Sequence, residues 1–182
     1  MFAAQVRVVE YSVQGAVVAN ILTHMEMSGD EQIRAAADEV VLLAEAIHDG
    51  GGSLQPVYGK LDAFIAEMNA EGIQPADFLP ADAEPGLGFS LSDKRGGKSL
   101  WEYIAASCQA KLCDPKSDEH KAVLGALKTA GVPSLVTTIL ATLGLPLLAI
   151  PVVITVSAVV LSLGLSGFCQ YLDAVPDEPP KA

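Results

Sequence analysis

The spacing of hydrophobic residues predicts an amphipathic helix in the first third of the chain. Apolar side chains recur every three or four positions between Asp30 and Asp49, which is the period of one face of an α-helix. Asp30 is placed to cap the start of this helix, and Asp49 with the three glycines after it is placed to end it. The face that we expect to pack inward consists of Ile33, Ala37, Val40, Ala44 and Ile47.

The same period predicts a second helix between Pro56 and Gly72. Proline suits the first turn of a helix, where its missing N–H group would have no partner, and glycine suits the position after the last turn. The expected inward face consists of Val57, Leu61, Phe64, Ile65 and Met68.

Two shorter helices are predicted in the next part of the chain. Ser99 can cap the third helix, and the pair Asp114–Pro115 ends it, because a residue before proline disfavours helical geometry. Ser117 or Asp118 can start the fourth helix. The apolar residues of these two helices are Leu100, Trp101, Ile104, Cys108 and Leu112, followed by Val123, Leu124 and Leu127.

The chain carries no charged side chain from Thr129 to Leu172. A helix needs about 20 apolar residues to cross hydrocarbon roughly 30 Å thick. Residues 151–172 meet this requirement alone, whereas residues 134–150 are interrupted at Pro146. Two arrangements stay open, namely a hairpin that turns near residues 146–151 and a single span at residues 151–172 preceded by a buried or interfacial helix. The residues expected to enter a bilayer are Leu135, Ile139, Leu143, Leu147, Ile150, Val153, Ile154, Val156, Val160, Leu163 and Phe168.

Two further sets of residues fit contact with a membrane. Ala158, Ser162 and Ser166 recur at every fourth position, and small side chains on one helix face let two helices approach closely in lipid. We therefore expect this face to pack against the other half of the hairpin or against another copy of the chain. Basic and aromatic side chains favour the headgroup zone, and the residues expected there are Arg95, Lys98, Trp101 and Tyr171.

The remaining segments are less regular. Residues 2–27 fit either a helix or a strand with a turn, so a short β element near residues 5–18 stays open. Residues 74–98 are rich in Pro, Gly and Asp, which predicts a long surface loop. The last residues are acidic and rich in proline, which predicts a disordered tail.

The predicted fold is mostly α, an amphipathic helical bundle followed by a C-terminal hydrophobic helical hairpin. The predicted divisions are an acidic helical region at 1–73, the loop at 74–98, a helical pair at 99–131, the hydrophobic hairpin or membrane span at 132–172 and the tail at 173–182.

The net charge limits the expected partners, and the distribution of charge along the chain predicts a location. The formal net charge is -11, and a body this acidic is not expected to bind nucleic acid, since phosphate binding needs a contiguous basic surface. Basic residues between 94 and 128 and acids in the tail predict that the body lies on the cytoplasmic side of the inner or plasma membrane.

Few residues are candidates for a catalytic or metal-binding site. His24, His48 and His120 are scattered along the chain, so they predict no convergent catalytic set. Cys108, Cys113, Asp114 and His120 could be arranged around zinc, but their spacing matches no known zinc motif. Three cysteines are too few for a disulfide scaffold, and we expect reduced thiols. We predict no enzyme activity, no cofactor and no metal.

The sequence favours a non-enzymatic protein that acts on membranes. In this hypothesis the hairpin inserts into a lipid bilayer, copies associate, and the bilayer is perturbed or permeabilised, as a bacterial toxin or an antiviral defence effector would do. The layout is similar to that of pore-forming colicin domains and the Bcl-2 group, without any motif of either family. The alternative is a soluble helical adaptor whose hairpin is covered by its own bundle or by a protein partner. A small hydrolase or metal protein is a third hypothesis.

Overall fold

A computed structural model of the protein describes residues 28–73 and 96–174, and these residues confirm the mostly helical fold with a C-terminal helical hairpin. No β-strand occurs within these two ranges. The predicted β element near residues 5–18, most of the predicted loop and the tail from residue 175 lie outside the described residues. The described residues up to Gln32 belong to one compact unit, and those from Ile33 onward belong to a second.

Six α-helices and two short helical turns make up the described residues. In chain order they are α1 (Gly29–Asp49), α2 (Gln55–Glu71), α3 (Gly96–Leu112), α4 (Asp118–Gly125), a π turn (Ala126–Ala130), α5 (Gly131–Leu143), a 3-10 turn (Leu147–Ala149) and α6 (Ile150–Ala174).

Helix α1 is capped by Ser28, and the prediction that Asp30 caps it is wrong. The Ser28 hydroxyl accepts a hydrogen bond from the Glu31 backbone N–H at 3.4 Å, and the Glu31 carboxylate accepts one from the Ser28 backbone N–H at 3.0 Å. This reciprocal pair is a capping box, which satisfies two N–H groups that the first turn of a helix leaves free. Asp30 falls in the first turn instead, where a negative charge suits the helix dipole.

Helix α2 ends as predicted at Gly72, which has φ 70°. The Gly72 N–H donates to the Asn69 carbonyl and the Ile73 N–H donates to the Met68 carbonyl, so the last turn is closed by the left-handed glycine. Lys60 of α2 forms an ion pair with Glu39 of α1, which joins two neighbouring helices of the bundle.

Helix α3 begins at Gly96, earlier than the predicted start at Ser99. The backbone N–H of Gly97 donates to the Asp62 carboxylate of α2 at 2.6 Å. A Cβ atom at Gly97 would lie 2.2 Å from the Tyr58 carbonyl oxygen, so the two backbones can approach this closely only because the residue is glycine. Residues 96–98 therefore belong to a helix, and the predicted loop boundary at residue 98 is wrong.

Helix α4 starts after Ser117, whose hydroxyl accepts a hydrogen bond from the His120 backbone N–H at 3.0 Å. This outcome agrees with one of the two predicted starts. The π turn is followed by Gly131, the first residue of α5. The φ of 77° at this glycine separates the π turn from the rest of α5.

Helix α6 lies in the core of the second unit. It packs against α2, α3 and α5, and every residue from Val152 to Val160 is buried. Burying a valine, leucine or isoleucine side chain stabilises a fold by roughly 1.5–3 kcal/mol each. The first half of α6 is therefore the part of the chain around which the second unit packs.

The backbone of α6 is not helical at Gly164, which has φ 70° and ψ 159°. Backbone in this region is essentially restricted to glycine. The helix consequently consists of a first half at residues 150–163 and a second half at residues 165–174, joined by this kink.

Candidate membrane-interacting hairpin

The hairpin is formed by α5, the turn that follows it and the first half of α6, residues 131–163. Helix α5 ends at Gly144, which has φ 65° and whose N–H donates to the Ala141 carbonyl at 3.1 Å. Pro146 is extended and starts the 3-10 turn, which leads directly into α6. The predicted hairpin is confirmed, and the chain reverses at residues 144–149.

The inner face of the hairpin is buried in the fold. Most of the residues predicted to enter a bilayer lie there. Leu147 and Leu163 are exposed, with exposed fractions of 48% and 37%, and Phe168 is buried but lies beyond the hairpin, in the second half of α6. In this conformation the other residues face protein rather than lipid, so their insertion stays a prediction that requires the bundle to open. The buried members are Leu135, Ile139, Leu143, Ile150, Val153, Ile154, Val156, Val160 and Phe168.

The opposite side of α5 is exposed and uncharged. We define the outer face by Pro133, Thr137 and Ala141 on the helix, together with Gly144, Pro146 and Leu147 at the turn, all of which are exposed. A solvent-facing helix surface ordinarily carries charged residues. This surface therefore differs from those of α1 and α3, which carry Asp, Glu and Lys side chains.

Most hydroxyl groups of the hairpin that have a described partner bond to the backbone of their own helix. Thr137 donates to the Pro133 carbonyl at 3.0 Å, and Thr155 donates to the Val152 carbonyl at 2.7 Å. Such bonds satisfy polar atoms without water, which lowers the cost of placing them in hydrocarbon. The hydroxyl of Ser157, by contrast, is buried and has no hydrogen-bond partner.

The three small residues of the predicted packing face do not share one continuous helix face. Ala158 is fully buried, and Ser162 donates hydrogen bonds to the Ala158 carbonyl at 2.7 Å and to the Ala44 carbonyl of α1 at 3.2 Å. Ser166 is exposed and lies beyond the kink at Gly164. The four-residue spacing assumed an unbroken helix, and within one chain the Ser162 side packs against α1.

The predicted headgroup residues are dispersed. Trp101 is buried, with an exposed fraction of 2% and no hydrogen-bond partner for its indole nitrogen, so headgroup contact by Trp101 does not fit the closed fold. Its large apolar ring instead packs in the core, together with the other apolar residues predicted for α3. Lys98 is exposed near Glu102, 3.8 Å from its carboxylate, and Arg95 lies outside the described residues.

Tyr171 contacts α2 rather than marking a free boundary. Its side chain hydrogen-bonds that of Tyr58, and burial together with Tyr171 raises the pKa of Tyr58 to about 12. Tyr171 is half-buried. This contact holds the second half of α6 against the bundle.

A disulfide joins Cys113 to Cys169, so the expectation of reduced thiols is wrong for these two residues. Their Cα atoms lie 5.5 Å apart although they are separated by 56 positions in the sequence. Cys108 is free and fully buried, and burial raises the pKa of its thiol to about 12. Sequence reasoning missed the bridge because neither the packing of α3 on α6 nor the kink at Gly164 can be read from residue spacing.

A polar contact lies close to the disulfide. The Gln109 side-chain amide donates to the Asp173 carboxylate at 2.8 Å. Together with the disulfide and the Tyr58–Tyr171 hydrogen bond, it attaches residues 165–174 to α2 and α3. We call residues 165–174 the anchored half of α6.

The zinc arrangement considered above does not form. Cys113 is in the disulfide, and His120 uses its Nδ1 atom in a contact of 2.7 Å with the Leu112 carbonyl oxygen. Across residues 28–73 and 96–174, no group of three or more His, Cys, Asp and Glu side chains is arranged to hold a metal ion.

Two helical stretches among the described residues are long and apolar enough to cross a membrane, Asp118–Leu143 and Leu147–Ala174. Core helices of soluble proteins can meet the same criterion. The two stretches differ in burial. In the most apolar part of each, 28% is buried in the first stretch and 61% in the second. Helix α5, which belongs to the first stretch, is therefore the more exposed arm of the hairpin, and the first half of α6, which belongs to the second, is the core arm.

Comparison of the chain with protein-family models, with curated proteins and with solved structures finds no match. The geometry of the hairpin is therefore the basis for assigning a function.

Proposed function

We propose that this protein acts on lipid bilayers without catalysing a reaction, and that the hairpin at residues 131–163 is the part that enters the membrane. The observation that carries the proposal is the exposed, uncharged outer face, which continues over the turn to Leu147. Because no charged side chain lies on this surface, it can meet the interfacial and hydrocarbon zones without the cost of burying an ion.

The internal hydrogen bonds of the hairpin support the same proposal. Thr137, Thr155 and Ser162 each donate to a carbonyl oxygen of their own helix. A helix that satisfies its backbone and hydroxyl groups in this way can leave water intact. The hairpin would therefore carry its secondary structure into the lipid.

The bundle supplies a cover for the inner face. Helices α2 and α3 pack against α6, and α1 meets it at Ala44. A protein built in this way can remain soluble until the hairpin separates from α1, α2 and α3. Insertion would then exchange protein contacts for lipid contacts along the same apolar residues.

The disulfide bears on the side of the membrane at which the protein acts. Disulfides persist in oxidising compartments and are rare in the cytosol. The cytoplasmic location predicted from the sequence stays a prediction, and the Cys113–Cys169 bridge argues against it. We therefore propose that the protein acts from the oxidising side of a membrane.

Flotation of the purified protein with phosphatidylcholine vesicles tests the proposal. The change Leu147→Asp places a charge at the tip, where the leucine is 48% exposed, so the fold should survive while vesicle binding falls. Leu42→Asp is the matched control, since Leu42 is 66% exposed and lies on α1 outside the hairpin. Absence of the wild-type protein from the vesicle fraction, or equal binding by both variants, would contradict the proposal.

A second candidate is a soluble helical adaptor. It is favoured by the complete burial of Val152, Val156 and Val160, which behave as the core of a water-soluble domain. In this case the exposed apolar residues contact a protein partner. Flotation separates the two candidates, because an adaptor would stay in the soluble fraction with and without vesicles.

A further inference from the structure

The segments before and after the hairpin are joined to each other by a covalent bond. Cys113 lies before α4 and therefore before the hairpin, and Cys169 lies after Gly164 and therefore beyond it. The two Cα atoms are 5.5 Å apart. As long as the disulfide is intact, any movement of the hairpin must leave the segments before and after it next to each other.

From this crosslink we propose that the hairpin enters and leaves the bilayer on the same side, as a re-entrant loop whose turn at residues 144–149 goes in first. This proposal rests on the membrane function proposed above. A single span at residues 151–172 would bring Cys169 close to the far surface of the membrane. Cys113 and the end of α3 would have to follow it through the hydrocarbon. The disulfide therefore excludes the single-span arrangement while the bundle stays on the near side.

The lengths of the two arms agree with a re-entrant loop. Helix α5 has 13 residues, which corresponds to about 20 Å at a rise of about 1.5 Å per residue. The first half of α6, residues 150–163, is similar in length. A hydrocarbon layer is roughly 30 Å thick, so these two arms enter it without crossing it.

Both ends of the hairpin carry a glycine with positive φ. Gly131 has φ 77° and Gly164 has φ 70°. Glycine tolerates large changes of backbone angle on either side of these values, so these residues are suitable points about which the hairpin can turn. The anchored half of α6 lies beyond Gly164 and stays attached through Cys169, Tyr171 and Asp173.

Environment-sensitive fluorophores attached at two positions test this arrangement. In a Cys108→Ser background with the disulfide confirmed by mass spectrometry, Leu147→Cys places the fluorophore at the turn of the hairpin and Ala174→Cys places it at the end of the anchored half. Each protein is bound to phosphatidylcholine vesicles, and iodide is added outside as a membrane-impermeant quencher. We expect the Leu147 label to shift its emission to shorter wavelength and lose most of its quenching, while the Ala174 label stays fully quenchable.

The double change Cys113→Ser and Cys169→Ser provides the comparison, with circular dichroism to confirm that the helices persist. Without the bridge the single span is permitted, and we expect a fraction of the Ala174 label to become protected. Protection of this label in the oxidised protein, or identical quenching with and without the disulfide, would overturn the proposal.

The re-entrant arrangement and the membrane function can fail separately. If the labelled proteins float with vesicles but the Ala174 label is protected in the oxidised protein, the re-entrant arrangement is wrong and the membrane function stands. If none of them floats, the membrane function itself is wrong, and the arrangement falls with it.

Discussion

Ser162 of α6 donates a hydrogen bond to the carbonyl oxygen of Ala44 in α1, across 118 positions of sequence. This bond joins the hairpin to the first helix of its cover. The spacing predicted that this serine contacts the other half of the hairpin or another copy of the chain, whereas it contacts α1 of its own chain. This hydrogen bond therefore affects both the stability of the closed fold and the ease with which the hairpin separates from α1.

Ser162→Ala should loosen the closed fold. The change removes the bond to Ala44 and should lower the free energy of unfolding by about 1 kcal/mol, the usual net value of a hydrogen bond in a protein. Vesicle binding should increase, because the open state becomes easier to reach. Urea unfolding and flotation measure the two effects.

Ser166→Ala is the matched control for that experiment, since Ser166 is exposed and accepts only a long contact of 3.5 Å from Gln170. It should leave both stability and binding unchanged. Equal behaviour of the two variants would mean that the bond between Ser162 and Ala44 has no part in holding the hairpin closed.

Gly97→Ala should destabilise the bundle. Its Cβ atom would lie 2.2 Å from the Tyr58 carbonyl oxygen and 2.8 Å from the Asp62 nitrogen, so α3 must move away from α2. Overpacking of this kind typically costs about 1–3 kcal/mol. Thermal unfolding followed by circular dichroism measures the change.

Gly59→Ala is the corresponding control on α2, because nothing lies within 4 Å of a Cβ atom there. In a helix interior this change should stabilise the protein by about 0.5–1 kcal/mol. A Gly97 variant as stable as the Gly59 variant would show that the two helices do not approach as closely as described.

The helices of the bundle could be predicted because each has an apolar face with a clear period. Their ends were predicted where a local signal decides them, as at Gly72, but not where a contact between helices decides them. Helix α3 starts early, at Gly96, because Asp62, 35 positions before Gly97, accepts a hydrogen bond from the Gly97 N–H. No pattern near Gly97 in the sequence carries that information.

The candidate site was predicted only in outline for the same reason. The uncharged run and its prolines indicated a hairpin, but which face is covered depends on how α1, α2 and α3 pack around α6. The pairing of Cys113 with Cys169 likewise follows from packing. The kink at Gly164 was missed because a glycine in an apolar run is compatible with an unbroken helix.

Gly164→Ala should strain the kink in α6. An alanine at φ 70° and ψ 159° occupies a conformation that costs of the order of 1–3 kcal/mol. We expect a lower free energy of unfolding and less insertion, since the hairpin loses one of its turning points. Urea unfolding and the fluorescence of the Leu147 label report these changes.

Gly167→Ala serves as the control for Gly164, because a Cβ atom there meets the Leu163 side chain at an ordinary 3.4 Å. It should be neutral or slightly stabilising, as expected for alanine in a helix. If the Gly164 variant were as stable as this control, the backbone at residue 164 would not require glycine.

Stability should fall in alkaline solution because of Cys108. Burial raises the pKa of this thiol from 9.0 to about 12, so between these pH values the unfolded chain loses a proton that the folded protein retains. The stabilisation is complete below pH 9 and is lost as the pH rises toward 12. The raised pKa of Tyr58 acts in the same direction above pH 10.

Cys108→Ala removes the thiol contribution and should make the decline with pH shallower, even though the variant is less stable at neutral pH. Unfolding by urea at several pH values from neutral to alkaline gives the slope. A slope unchanged from that of the wild type would mean that the thiol is not the group responsible.

The bridge between Cys113 and Cys169 turns the intervening chain into a closed ring that contains the whole exposed turn. A protease that cuts at this turn would open the ring without dividing the molecule. The C-terminal fragment would remain tethered to the bundle through sulfur, and only a reducing agent would separate the two pieces on a gel. Digestion at the turn would therefore leave a nicked protein that is still one covalent unit.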